Sequence, residues 1–276
     1  MSVPLEDEYI DVLKKAAVGL RLGHAALSVR SNLSLKEVKG LLNGEWEPWM
    51  LQRIAPLLNL QADALIALAK GEWQPRPVAL SGIFPINMPF PEAGWPGASV
   101  NVFVLSAPGS DEAVVFDAGT QAQPILDLLH RENLKLGALM LTHTHRDHVG
   151  GYTELLETTG CQRVYAPTEE CYGAAEGLKP GARLECAGLQ IEARLTNGHS
   201  RGGMSYLVQG LEKPVAVVGD AIFAASMGGA KNAYRLALKN NREQILSLPH
   251  ETVLCPGHGP MTTVGEELAH NPFFAD

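Results

Sequence analysis

Thr142-His143-Thr144-His145-Arg146-Asp147-His148-Val149-Gly150-Gly151 sets three histidines and one carboxylate within six positions, directly after the apolar run 136–141. The run predicts a buried strand, and the glycine pair opens toward a helix. Alternate residues of an extended chain share a face. His143 and His145 therefore point one way, while Asp147 and His148 turn toward a second position. That arrangement suits two metal ions held side by side.

One loop does not close two sites, because a catalytic metal takes about three protein ligands and keeps a position open. Further donors stand downstream. His199 lies in Asn197-Gly198-His199-Ser200, Asp220 follows the apolar run 215–218, and His258 lies in Cys255-Pro256-Gly257-His258-Gly259-Pro260. Each follows an expected strand and sits beside glycine, where the chain turns without strain. His24, His130, His250 and His270 are assigned no role. Cys255 ends an apolar run and is expected as a buried small hydrophobe.

These motifs, in this order, resemble the metallo-β-lactamase superfamily of hydrolases. Asp117 in Phe116-Asp117-Ala118-Gly119-Thr120 matches the family's first motif, and His143 to His148 the second. His199, Asp220 and His258 match the third, fourth and fifth. The resemblance covers roughly 78–276. It implies an α/β fold, a four-layer αβ/βα sandwich with the metals at one edge. It also implies that His143, His145 and His199 hold one ion, that Asp147, His148 and His258 hold the other, and that Asp220 bridges both. Asp117 braces the histidine loop from outside the ligand set.

Within the superfamily, 256–267 and Asn271-Pro272-Phe273-Phe274 resemble glyoxalase II and its relatives. The implied activity is hydrolysis of a small thioester or acyl ester by a metal-bridging hydroxide, with Asp147 and Asp220 as the catalytic carboxylates. The implied cofactors are two divalent ions, zinc first and iron or manganese as alternatives. Two departures point away from glutathione thioesters as the physiological substrate. The stretch 226–232 replaces the Gly-Arg-Thr-Asp of those relatives, and their basic C-terminal helical domain has no counterpart among residues 1–276, so none is expected. Lactonases share the ligand set, and persulfide dioxygenases use one iron on part of it; both stay open. β-Lactamases usually carry Cys or Ser where this chain has Asp220. Nucleases of the family insert a domain where only 20 residues separate His199 from Asp220.

The 276 residues allow one large domain, or a large and a small one. We divide them at a Trp73-Gln74-Pro75-Arg76-Pro77 break into a helical segment, 1–74, and a hydrolase domain, 75–276. A net charge of −8 argues against broad nucleic-acid or anionic-membrane binding. No secretory h-region and no membrane-length apolar run stand out, and four cysteines without CxxC spacing fit free thiols in a reducing cytoplasm.

Helical periodicity marks most of 9–68, and Ser34 with Glu37 forms an expected capping box. Residues 25–68 resemble a Cro/repressor-type helix-turn-helix domain, with 35–42 in the recognition position. That helix offers only Lys36 and Lys39. Eight Lys/Arg against nine Asp/Glu in 1–72 supply few phosphate contacts. A homodimer interface, or shaping of the active-site mouth, is the expected use; a DNA-binding regulator with a metabolite-sensing hydrolase domain is the alternative. Downstream, strands are expected at 78–84, 100–105, 113–116, 138–141, 189–195, 204–208, 215–218 and 252–255. Helices are expected at 122–132, 150–158, 231–247 and 264–270. Arg146 is left open between substrate contact and solvent, while Arg201, Lys231 and Arg235 are read as surface charge.

Overall fold

The β2 strand, Ser99–Leu105, shows how the layers arise. Val100, Val102 and Val104 pack into one apolar core, while Phe103 and Leu105 pack into another. Both faces are covered, so from Val100 the strand reads as an apolar run broken only by Asn101. β10, Val215–Gly219, behaves alike: Val215 and Val217 face the core shared with Phe103, whereas Ala216 and Val218 face a third core. Three cores between four layers is the αβ/βα sandwich.

The computed structural model, which describes residues 3–91 and 97–275, places twelve strands in two six-stranded sheets. The first runs in chain order: β1 (Ile83–Pro89), β2, β3 (Glu112–Phe116), β4 (Lys135–Met140), β5 (Val164–Pro167) and β6 (Glu176–Leu178). The second is ordered β12 (Thr262–Thr263), β11 (Val253–Pro256), β10, β9 (Met204–Gln209), β8 (Leu189–Leu195) and β7 (Arg183–Cys186). Helices α6 (Gln123–Arg131) and α8 (Tyr152–Thr159) cover the outer face of the first sheet through Ile125, Leu128, Leu129 and Leu155. Each such side chain contributes about 1.5–3 kcal/mol by leaving water.

The outer face of the second sheet is covered by α9 (Tyr234–Asn240), α10 (Val264–His270) and five N-terminal helices. The latter are α1 (Tyr9–Gly19), α2 (His24–Ser31), α3 (Leu35–Leu41), α4 (Pro48–Ile54) and α5 (Ala62–Lys70). Ser34 caps α3 as expected: its hydroxyl accepts from Glu37 N at 3.2 Å, and the Glu37 carboxylate accepts from Ser34 N at 2.6 Å. Val12, Leu13, Leu51 and Ile54 lie in one cluster with Val218, Leu254, Tyr234, Phe273 and Phe274. The core of the N-terminal helices is thus continuous with that of the second sheet. The 73–77 break packs back too: Trp73 stacks on His270 at 4.9 Å, and Arg76 N donates to Glu266.

The structure moves several expected elements. The strand expected at 78–84 lies at Ile83–Pro89, because Val78 and Leu80 pack on the inter-sheet core without pairing. Pro85 and Pro89 fit there because β1 is an edge strand. The helix expected at 231–247 ends as α9, and a π-helical turn, Asn241–Ile245, follows. Buried Asn241 there donates to Ala221 O at 2.6 Å. The helix expected at 150–158 is α8; a short helix the sequence did not suggest, α7 (Arg146–Val149), precedes it, and Gly150 and Gly151 between the two press against the backbone of 118–122. β5, β6, β7 and β12 have no expected counterpart. Among the described residues no helix is long and apolar enough to cross a membrane.

Candidate metal centre

β4 delivers the histidine loop to one edge of the sandwich. His145, in extended conformation, precedes α7, so His143 and His145 lie on the loop while Asp147 and His148 lie on the first turn. His199 follows β8, Asp220 follows β10 and His258 follows β11. These loops bring every expected ligand together in two groups. One is His143, His145, His199 and Asp220; the other is Asp147, His148 and His258, with donor atoms inside each group within 4.8 Å of one another.

His145 Nδ1 lies 3.0 Å from both His143 Nε2 and His199 Nε2. Asp220 Oδ2 is 3.2 Å from His199 Nε2, 3.8 Å from His143 Nε2 and 3.4 Å from His258 Nε2. Asp220 Oδ1 is 3.4 Å from His148 Nε2. Asp147 Oδ2 is 3.3 Å from His258 Nε2 and 3.8 Å from His148 Nε2. The Asp220 carboxylate therefore stands between the two groups.

The donor set fits divalent ions. Ligands about 2.0–2.1 Å from a tetrahedral ion stand roughly 3.3 Å apart, as these do. Two atoms aimed into the centre, His148 Nε2 and Asp220 Oδ1, are buried without a hydrogen-bond partner. Such orphans are rare unless an ion or water completes them. Gly257 leaves the room: a Cβ there would collide with Asp220 Oδ1 and lie 2.7 Å from His148 Cε1.

Hydrogen bonds behind the ligands aim four of the five rings. His148 Nδ1 donates to Asp117 Oδ2 at 2.8 Å. His143 Nδ1 meets Thr142 Oγ1 at 3.0 Å, and that hydroxyl donates to Asp117 Oδ2 at 2.8 Å. His199 Nδ1 donates to Gly229 O at 3.0 Å and His258 Nδ1 to Ser99 O at 2.6 Å. In each case Nε2 is left facing the centre. Asp117 also accepts from Thr142 N at 2.7 Å, and it holds φ +63°, a conformation tolerated by Asp more than most residues. It sits where the sequence predicts, behind the loop.

Electrostatics state the same demand. Burial opposes charge on His148 and His258. It is outweighed by Asp117 and Asp220 at the first, and by Asp220 with Asp147 at the second. The imidazoles are pushed up to about 10 and about 11. Burial, reinforced by the neighbouring imidazoles, holds His143 well below its ordinary value. Burial would raise Asp220, but His258 and His148 hold it well below the carboxylate range. The carboxylates thus call for positive charge between them, which a divalent cation supplies.

Several supporting residues had no signal or a faint one in the sequence. Asn101, a lone amide in an apolar strand, donates to Pro256 O at 2.9 Å and Gly259 O at 2.7 Å, pinning the His258 loop. Buried Glu267 and Asn271 hold the backbone of 223–226. From the N-terminal layer, Asp7 bonds Ser226 and Lys15, and Lys15 donates to Met227 O at 2.9 Å. Glu6 lies 4.0 Å from His258 Nδ1, and burial pushes its carboxyl up to about 7. Arg146, Lys231 and Arg235 are exposed, as is Arg201, which lies 3.5 Å from Glu169.

Comparisons with known proteins identify the family and the fold. The model of the metallo-beta-lactamase superfamily matches residues 95–258. The chain belongs to that superfamily, whose members are metal-dependent hydrolases. An uncharacterized protein of Mycobacterium tuberculosis is 27% identical over 214 residues, 65% of this chain and 96% of the relative. A hydroxyacylglutathione hydrolase of Serratia proteamaculans is 32% identical over 146 residues, 52% of this chain but only 56% of the relative. The crystal structure of the B3 metallo-beta-lactamase BLEG-1 superposes with a TM-score of 0.58 at 29% identity, covering 70% of this chain and 100% of that one.

Proposed function

We propose that this chain is a dinuclear metal-dependent hydrolase of a small thioester or acyl ester, of the glyoxalase II-like kind. The observation that carries the reading is the Asp220 carboxylate, which faces His199 and His143 on one side and His148 and His258 on the other. His143, His145 and His199 would hold one ion, Asp147, His148 and His258 the second, and Asp220 both. Bound there, divalent ions lower the pKa of water toward neutrality and polarise an acyl carbonyl. Asp147, held below the carboxylate range by His258 against the effect of burial, stays an acceptor that orients a water proton. A thioester releases a thiolate, whose conjugate thiol has a pKa of about 8.5, so it leaves without a proton donor.

The relationship to hydroxyacylglutathione hydrolases supports the thioester class, over little more than half of their length. The α2–α3 pair, joined by Asn32, Leu33 and Ser34, fits a helix-turn-helix. We read it as scaffold, because these helices share their core with the second sheet and 1–72 carries no excess of positive charge.

Metal analysis combined with turnover tests this reading. S-lactoylglutathione, an acyl-homoserine lactone and a β-lactam would be compared on wild type and Asp220→Ala. About two ions per chain, with thioester hydrolysis abolished by chelation and by the substitution, is expected. Turnover confined to the lactone or the β-lactam would reassign the substrate, and a chain that binds no metal would remove the reading.

A further inference from the structure

His143, His148, His199 and His258 are each aimed by a hydrogen bond at the ring nitrogen turned away from the centre. His145 is different. Both of its hydrogen-bonding contacts are made through Nδ1, toward the other imidazoles, and it is exposed. Its ring position therefore depends on its backbone. The residue before it, Thr144, is gripped by Glu170: one carboxylate oxygen accepts from Thr144 N at 3.1 Å and Thr144 Oγ1 at 3.4 Å. The other oxygen accepts from Gly202 N at 2.6 Å, three residues beyond His199.

We propose that Glu170 is a positioning residue that staples the His145 loop to the His199 loop and so sets the ion site formed by His143, His145, His199 and Asp220. The two loops come from different sheets, one after β4 and the other between β8 and β9. Glu170 reaches them from a third place, the 3-10 turn Thr168–Glu170 that follows β5. Gly202 is shaped to the contact, because a Cβ there would lie 2.9 Å from Glu169 Cβ and 3.1 Å from Glu170 Cγ. Bonds from N–H groups to an ionised carboxylate are the stronger kind, and one carboxylate receiving donors from both loops limits how far they can part. The Asp147, His148 and His258 group does not depend on this staple, since the bonds that hold it, from Asp117, Asn101 and Ser99, do not pass through Glu170.

This inference rests on the metal-site reading above. Its test compares zinc binding by wild type, Glu170→Ala, Glu170→Gln and Glu169→Ala, by titration against a competing chelator. The cobalt(II) absorption spectrum and the melting temperature of the metal-free proteins are followed alongside. Glu169 is the control, because its exposed side chain meets only Arg201 at 3.5 Å among the described ion pairs. Wild type and Glu169→Ala are expected to take two ions with the same affinities. Glu170→Ala is expected to keep one tight ion and to bind the other roughly 10–100-fold more weakly, with one cobalt environment altered. Glu170→Gln keeps an acceptor toward Thr144 but opposes its amide to Gly202 N–H, so its affinity falls between the two. Unchanged affinities in both Glu170 variants, with or without a lower melting temperature, overturn the staple while leaving the metal site intact. A wild type that binds no ion overturns both.

Discussion

Asp117 Oδ2 receives His148 directly at 2.8 Å and His143 through the Thr142 hydroxyl, so one buried carboxylate orients a ligand from each group. Its other oxygen is committed to Thr142 N at 2.7 Å. Asp117→Asn cannot serve all of these. With its carbonyl toward His148 and Thr142 Oγ1, its amide opposes Thr142 N–H; flipped, it faces the His148 donor with another donor. We expect metal affinity to fall roughly 10–100-fold, with kcat limited by occupancy and recoverable at high metal. Titration with a competing chelator reads this directly, and an unaltered dissociation constant would sink the assignment.

Gly257 makes a sharper steric case. A single methyl group there would enter the space of Asp220 Oδ1 and crowd His148 Cε1 at 2.7 Å. Gly257→Ala is expected to lose at least one ion per chain and most activity. The fold should survive, because the two severe clashes are with site side chains, and the nearest backbone atom, Gly219 C, stands 3.3 Å away. Metal analysis beside the far-UV circular dichroism of the purified variant checks both halves. Full metal content would show that the carboxylate can move aside.

The candidate ligand set was legible because its chemistry is local. The spacing of 143–148 and the glycines beside His199, Asp220 and His258 carry the information, and the structure brings all seven donors together. Strands buried on both faces were legible for the same reason, as in Val100 to Leu105. The short pairings of β5, β6, β7 and β12 were not, because a strand of two to four residues owes its existence to the neighbour that pairs it. Glu170 lies in a Thr-Glu-Glu run with no pattern to separate it from solvated charge. The N-terminal helices were recognisable as helices, yet their periodicity could not say that Leu13 and Leu51 would share a core with Phe274. Asp7 and Lys15 gave no sign that they would reach a loop more than two hundred residues away.

Glu267 gives a pH-dependent prediction away from the ligands. It is fully buried, and burial raises its carboxyl from the ordinary 4.5 to about 8 against the donors Asn271, Thr262 and Ala225 N. Between those pH values the folded chain keeps a proton that the unfolded chain has lost. The contribution is fully present below about 4.5 and is lost as pH rises toward about 8. Glu267→Gln mimics the protonated acid: its carbonyl accepts from Ala225 N and Asn271, and its amide faces Thr262 Oγ1. Urea denaturation at pH 5 and pH 8 should show the variant gaining on wild type by about 1–2 kcal/mol at the higher pH. Parallel stabilities at the two pH values would show that Glu267 does not hold its proton.

The N-terminal layer reaches the loop behind the candidate site. Asp7, 8% exposed, ion-pairs with Lys15 and bonds Ser226, while Lys15 bonds Met227 O and lies 5.1 Å over the Phe223 ring. Phe223 in turn stands edge-on to His258 at 5.5 Å. Asp7→Ala removes one partner and leaves an ammonium only 22% exposed without its counter-charge. Breaking a fully buried pair this way costs about 3–5 kcal/mol; the partial exposure of Lys15 lowers the expectation to about 2 kcal/mol. Replacing both residues, Asp7→Ala with Lys15→Met, should recover part of the loss, because no uncompensated charge remains. Denaturation of the single and double variants gives the coupling, and turnover gives its reach. Since the pair anchors 226–227 in the loop that follows Asp220, kcat is expected to fall in Asp7→Ala at saturating metal. A variant that loses stability but keeps wild-type kcat would confine these helices to folding the outer layer.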